Sequence, residues 1–244
     1  MTSNPAADPI IQIAGLHKQF GDLEVLTGID MQITRGRTTA IVGPNASGKT
    51  TLIKCLLGLV RPDDGQIRLD GTVLDDNWRY RARIGYMQQG AHFPGNLSAR
   101  EVIAMLTDLR GNPEQPDTEL IDAFKLEPEL DKPIRTLSGG TRQKVNAVIA
   151  FLFDPDLVIL DEPTAGLDPV ASSQLKDKIR AERDEGTTFI LTSHIMSELD
   201  ELANDLAFLL DGKIRFEGPI DAIKETTDQA NLERAIAQMM THSA

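Results

Sequence analysis

Two stretches of the chain group residue types that handle phosphate. In Gly43-Pro44-Asn45-Ala46-Ser47-Gly48-Lys49-Thr50, two glycines bracket a short loop that runs into a lysine and a hydroxyl side chain, with Thr51 next. Glycine lets the backbone curl so that consecutive N–H groups converge on an anion, and a helix opening there adds the positive end of its dipole. In this pattern Lys49 would reach the β- and γ-phosphates of a nucleoside triphosphate, and the Thr50 hydroxyl would ligate Mg²⁺. A plain glycine turn between strand and helix is the competing reading. The context argues against it, because the apolar run Thr39-Ala40-Ile41-Val42 precedes the loop and Leu52, Ile53, Leu56 and Leu57 follow at helical spacing. The second stretch is Leu157-Val158-Ile159-Leu160-Asp161-Glu162, an apolar strand ending in two carboxylates. Such a strand delivers them to the carboxyl edge of a sheet, where α/β folds hold ligands. There Asp161 would hold Mg²⁺ through water and Glu162 would polarise an attacking water.

These groups need elements to hold them. Runs such as Thr39–Val42, Leu157–Leu160 and Phe189–Thr192 suit strands buried on both faces of a parallel sheet. Ile29, Met31 and Ile33 alternate with polar residues, and Ile67 and Leu69 lie between Gly65 and Gly71, which predicts half-buried antiparallel strands. From about Gln89 to Ile134 the pattern turns helical. Ser98 and Glu101 have the spacing of a capping box, followed by Val102, Ile103, Leu106 and Leu109, with breaks at Gly111-Asn112-Pro113 and Asp131-Lys132-Pro133. Asp168-Pro169 starts another helix, and Asp211-Gly212 forms a hairpin turn between Ala207–Leu210 and Ile214–Phe216. The tail from Pro219 to Ala244 reads as polar helix, with Leu232, Ile236 and Met239 as a packing stripe.

Composition limits the function classes. The net charge is −12, from 25 basic and 37 acidic residues, with no basic run. Nucleic-acid binders take most of their affinity from neutralised phosphates, so nucleic acid is not an expected partner. No apolar stretch reaches the ~18 residues of a membrane span, so direct membrane insertion is not expected. The opening MTSNPAADPI has neither a basic region nor an apolar core, so no secretory signal is expected. The single cysteine, Cys55, is read as a small core residue.

The segment Leu137-Ser138-Gly139-Gly140-Thr141-Arg142-Gln143 resembles the signature of ABC ATPases, the nucleotide-binding subunits of ABC transporters. Other motifs of that family follow in order across residues 10–218. Phe20 resembles the aromatic that stacks on adenine, although tyrosine is commoner there. Gln89 matches the glutamine after the sheet strand, Asp168 the D-loop aspartate of Ala165-Gly166-Leu167-Asp168, and His194 the switch histidine. Each has a plain reading beside it: Phe20 a core aromatic, His194 a strand-end histidine, and Ser138 the cap of the following helix.

The resemblance implies an α/β P-loop NTPase (RecA-like) core sheet with an N-terminal antiparallel β subdomain and an inserted α-helical subdomain. It divides the chain into 1–88, the core with the β subdomain and phosphate loop; 89–145, the helical subdomain; 146–218, the rest of the core; and 219–244, a short tail. It implies ATP and Mg²⁺ as cofactors, with Thr50, Gln89 and Asp161 toward the metal and Glu162, His194 and Gln89 toward catalysis. Ser138, Gly139 and Gly140 would face the γ-phosphate of ATP held by a second copy or a paralogue.

A soluble ABC ATPase, such as one serving iron–sulfur cluster assembly, is the alternative to a transporter subunit docked on a membrane permease. Arg142–Val148, Asp161–Pro169 and Ser193–Ala203 resemble bacterial ABC-2-type export ATPases, which implies a cytoplasmic subunit peripheral to the inner membrane. Pro133–Lys144 and Phe151–Pro155 further resemble ATPases of the copper-processing systems that mature nitrous oxide reductase.

Overall fold

In the computed structural model, residues 8–74, 78–90, 92–111 and 116–242 are described. The seven N-terminal residues, Ala91, the break at Asn112-Pro113 and the last two residues lie outside that set.

The architecture rests on two sheets. The first is antiparallel, in the order β2-β1-β4-β5, from β1 (Pro9–Phe20), β2 (Leu23–Thr34), β4 (Asp64–Leu69) and β5 (Thr72–Val73). The second has six strands in the order β10-β9-β3-β8-β7-β6, formed by β3 (Thr38–Val42), β6 (Ile84–Met87), β7 (Leu157–Asp161), β8 (Thr188–Thr192), β9 (Asp205–Leu210) and β10 (Lys213–Pro219). Its pairings are parallel except for β9–β10, which Asp211 and Gly212 join with φ of 49° and 70°. Both residues of that tight turn need the left-handed region, which explains the Asp-Gly pair.

Why β3, β7 and β8 read as unbroken apolar runs is now plain. Successive side chains point to opposite faces, and both faces are covered. Ile41, Ile159 and Ile190 pack with α1 (Lys49–Leu56) and residues of the antiparallel sheet, including Ile29 and Ile33. Ala40, Val42, Val158, Leu160, Phe189 and Leu191 enter the other core. That core receives α4 (Gly139–Phe151), α5 (Pro169–Glu185), α6 (Met196–Leu202), α7 (Ile220–Thr227) and α8 (Leu232–His242).

The segment between β6 and α4 is less helical than its sequence predicts. Its described residues hold α2 (Ala99–Leu109), the short α3 (Glu119–Ala123) and single 3-10 turns at Glu127–Glu129 and Ile134–Thr136. The Ser98–Glu101 capping box forms as expected, each side chain meeting the other residue's backbone N–H. The apolar stripe behind it is only partly buried. Val102 is 2% exposed, but Leu109, at the end of α2, is 76% exposed, one turn beyond Leu106, which packs against the core. In the tail, Leu232 and Ile236 are buried and Met239 packs beside them, so the stripe anchors α8 onto the core.

Candidate functional site

The four parallel strands β3, β8, β7 and β6 end at the same sheet edge, so the residues that follow them converge although up to 151 positions separate Gly43 from His194. A cleft of about 260 Å³ there is lined by Asn45 to Thr51, Gln89, Asp161, Glu162 and His194, together with Leu23 and Val25 of β2. The two clusters of the sequence thus form one site.

The loop is built by steric necessity. A Cβ at Gly43 would lie 2.0 Å from the Leu209 carbonyl oxygen, and one at Gly48 would lie 2.9 Å from the Val25 carbonyl oxygen. The β9–β10 turn braces the loop from behind, where the Gly212 N–H donates to the Ser47 carbonyl at 3.2 Å. Lys49 Nζ donates to the carbonyls of Gly43 and Pro44 at 2.7 and 3.0 Å, which folds the ammonium over the loop's mouth. Burial pulls the Lys49 pKa below the ordinary lysine value, against the opposing pull of Glu162 and Asp161. Helix α1 opens at Lys49, so its first-turn N–H groups have no intrahelical acceptor and point into the cleft.

The loop also carries strain. Ala46 sits at φ 65°, a left-handed conformation that costs a residue with a Cβ roughly 1–2 kcal/mol. Ala46→Gly would remove that cost, but would free the unfolded chain by about 0.4–1 kcal/mol. The expected net result is a gain of roughly 0.5–1 kcal/mol, seen as a rise of about 2 °C in Tm. A lowered Tm would mean that the loop draws no strain from Ala46.

Across the cleft, the ends of β7 and β8 are stitched together. Asp161, nearly buried, accepts from the Thr192 hydroxyl. The Glu162 N–H donates to the Thr192 carbonyl at 3.1 Å, and the Glu162 carboxylate accepts from the His194 N–H at 3.3 Å while His194 Nε2 lies 3.4 Å from its other oxygen. Glu162 takes φ 53°, a conformation that a carboxylate residue adopts only under the constraint of its surroundings. Burial raises its pKa above the ordinary glutamate value, with contacts from His194 opposing and Asp161 and Glu198 adding to the rise.

The donor set suits phosphate and Mg²⁺. Among the residues that line the cleft, the Asp161 carboxylate, the Thr50 hydroxyl and the Gln89 amide would suit a cation that takes its remaining oxygens from water and phosphate. The Ser47 hydroxyl is buried without a hydrogen-bond partner inside the loop. An unpaired buried hydroxyl is costly, and an oxygen-rich ligand in the loop would relieve it.

Not every sequence candidate lines this cleft. Phe20 lies at the end of β1, half exposed, paired across the strands with Leu23 and with Lys18 Nζ 5.2 Å from its ring centre; Leu23 and Val25 line the cleft in its place. Ser138, Gly139 and Gly140 stand apart, at the start of α4. There Ser138 Oγ accepts from the Thr141 N–H at 3.0 Å, and a Cβ at Gly140 would meet the Gly166 carbonyl at 2.9 Å. Asp168 caps α5 by accepting from the Ala171 N–H and pairs with Lys144 Nζ at 2.7 Å. A second cleft of about 550 Å³, lined by Gln89, Phe93, Gly139, Arg142, Glu162 and Gly166 among others, joins the signature segment to the sheet edge at Glu162.

Three residues have supporting contacts that the sequence does not show, Gln143 of the signature segment among them. Gln143 Nε2 donates to the Pro163 carbonyl at 3.2 Å, and Asn146 Nδ2 donates to the Gln88 carbonyl at 2.8 Å, so α4 holds the backbone beside both Glu162 and Gln89. Buried Glu198 accepts from Thr164. A polar residue on the apolar face of a helix, such as Asn146 between Val145 and Ala147, is the signal that could have drawn attention to the first two.

The profile of the family described as ABC transporter matches residues 26–165. The daunorubicin resistance ATP-binding protein DrrA3 of Streptomyces coeruleorubidus is 34% identical over 227 residues, spanning 91% of this chain and 72% of that protein. The lantibiotic transport ATP-binding protein SrtF of Streptococcus pyogenes is 33% identical over 226 residues, spanning 92% of this chain and 94% of that protein. A solved structure titled as the ATP-binding subunit of an ABC transporter superposes with a TM-score of 0.89 at 27% identity, covering 95% of this chain and 99% of that one. With the phosphate loop, paired carboxylates and signature segment arranged as above, the chain belongs to the ABC transporter family as an ATP-binding, ATP-hydrolysing subunit.

Proposed function

We propose that this chain binds MgATP in the cleft at the sheet edge, pairs with a second copy or a paralogue on ATP, and drives an ABC-2-type export permease. The observation that carries the reading is the separation of the two half-sites. Lys49, Thr50, Asp161, Glu162 and His194 surround one cleft, while Ser138–Gly140 stand at the start of a different helix. A chain with one phosphate loop and one signature segment completes a closed site only by meeting another.

In this reading the loop N–H groups and Lys49 bind the β- and γ-phosphates, Thr50 and Asp161 orient toward Mg²⁺ with Gln89, and Phe20 stacks at the adenine end beside Leu23. Mg²⁺, when bound, neutralises charge developing on the phosphate oxygens. Glu162 orients and takes a proton from the attacking water, and His194 fixes the Glu162 carboxylate. Ser138 Oγ and the first N–H groups of α4 offer the partner's γ-phosphate a second anion site. The core and helical subdomain boundaries at residues 88, 145 and 218 belong to the same proposal. Among the described residues no helix is long and apolar enough to cross a membrane, and in this reading the membrane span belongs to a separate permease that the chain meets at the cytoplasmic face. The docking surface lies just past Gln89, at His92, which is exposed, and Phe93, which packs on the core.

Glu162 gives this reading a pH signature. The carboxylate works deprotonated, and burial raises its pKa, so it takes up a proton at a higher pH than a free glutamate does. The acid limb of kcat/KM for ATP therefore has its midpoint above the ordinary value of about 4.3. A midpoint at or below that value removes Glu162 from the role of base.

The partner is tested by tagging the chain in its native host, solubilising the membranes gently and identifying what co-purifies. A multi-span membrane protein in comparable amount supports the transporter reading, and a periplasmic maturation factor with it supports copper processing as the task. Recovery of soluble proteins alone would favour an assembly ATPase.

A further inference from the structure

Glu198 has no part in the chemistry above, yet it is the polar centre of the seam behind the catalytic edge. It lies in the first turn of α6, is 6% exposed, and its two carboxylate oxygens each take a hydroxyl from a different strand end. Thr164 Oγ1, two residues past Glu162, donates to one at 2.6 Å, and Ser193 Oγ, next to His194, donates to the other at 3.2 Å. Ser193 Oγ in turn accepts from the Ile195 N–H at 3.0 Å, which closes the turn that presents His194. Both hydroxyl residues are buried, 8% exposed for Thr164 and 6% for Ser193.

A buried carboxylate is costly unless its oxygens are satisfied. Here both are, and the two donors come from the two segments whose relative position the catalytic step requires. We propose that Glu198 is a positioning residue for hydrolysis: through Thr164 and Ser193 it clamps the Glu162 segment against the His194 turn. The clamp fixes the 3.4 Å approach of His194 Nε2 to Glu162 and leaves the phosphate loop untouched, so it acts on turnover rather than on ATP binding. The inference rests on the catalytic roles proposed for Glu162 and His194.

The test is steady-state ATP turnover by the purified full chain carrying Glu198→Ala, Glu198→Gln, Thr164→Val or Ser193→Ala, or Glu198→Ala together with Thr164→Val. Misplacing a reacting group by about an ångström costs up to about a hundredfold. The expected loss in kcat for Glu198→Ala is therefore roughly tenfold or more, with KM for ATP within about twofold. Glu198→Gln keeps the shape and one acceptor and recovers most of the loss. The double variant is no slower than the slower single variant, because both changes open the same clamp. A folded Glu198→Ala with unchanged kcat overturns the proposal, as do losses that multiply in the double variant or a KM that rises in step with the fall in kcat. If Glu198→Ala does not fold, Thr164→Val and Ser193→Ala decide the matter, and full turnover in both refutes the clamp. Glu162→Gln, run in parallel, keeps the two readings apart. If that variant retains turnover, the catalytic assignment fails; if it is inactive while the Glu198 series is fully active, only the clamp fails.

Discussion

Glu162→Gln is expected to lower ATP turnover by ~10²-fold or more, the usual range for loss of a general base, while ATP still binds. The substitution keeps the side chain's shape and its acceptor for the His194 N–H, so the strained backbone at φ 53° and the seam to β8 survive. What is lost is the ability to take a proton from water. None of the phosphate contacts involves this side chain, and removing its charge takes an anion away from the γ-phosphate, so affinity for ATP should hold or improve. Turnover is read from phosphate release and binding from a fluorescent ATP analogue. Undiminished phosphate release would remove Glu162 from the mechanism.

Lys49→Ala separates the other half of the site, because it should weaken binding itself. The ammonium is held over the loop by the Gly43 and Pro44 carbonyls, at the mouth of the phosphate loop. A charge-assisted hydrogen bond contributes about 1.5–3 kcal/mol, so loss of contacts to two phosphates predicts a fall in ATP affinity of roughly 10²-fold or more, with turnover falling as well. The fold should persist, since among the described residues the ammonium donates to two carbonyls at the cleft mouth, where water can replace it. Normal ATP affinity in this variant would place the phosphates elsewhere on the chain.

Much of the molecule can be read without coordinates where local chemistry dominates. The loop from Gly43 to Thr50 needs glycines wherever a Cβ would strike Leu209 or Val25, and glycine is visible in sequence. The capping box at Ser98, the Asp168 cap and the Asp211-Gly212 turn are settled within a few residues, and each formed as expected. Fully apolar runs identified β3, β7 and β8, because only strands covered on both faces can afford them.

Other features depend on neighbours that no local pattern names. The apolar stripe of α2 promised burial as far as Leu109, but the surface it would meet stops at Leu106, which packs partly against the core. Phe20 has the residue type for stacking on a base, yet its place relative to the cleft follows from its pairing with Leu23 across a turn.

The sequence by itself determined the chemistry: which side chains could hold phosphate, bind Mg²⁺ and take a proton, since those abilities belong to residue types and short spacings. Only the tertiary structure decided how they meet. Parallel pairing of β3, β8, β7 and β6 brings four distant strand ends to one edge, and the carbonyls and hydroxyls offered by distant segments fix what Gln143, Asn146 and Glu198 hold. A long-range hydrogen bond is set by geometry between segments far apart in the chain, and periodicity or propensity carries no record of it.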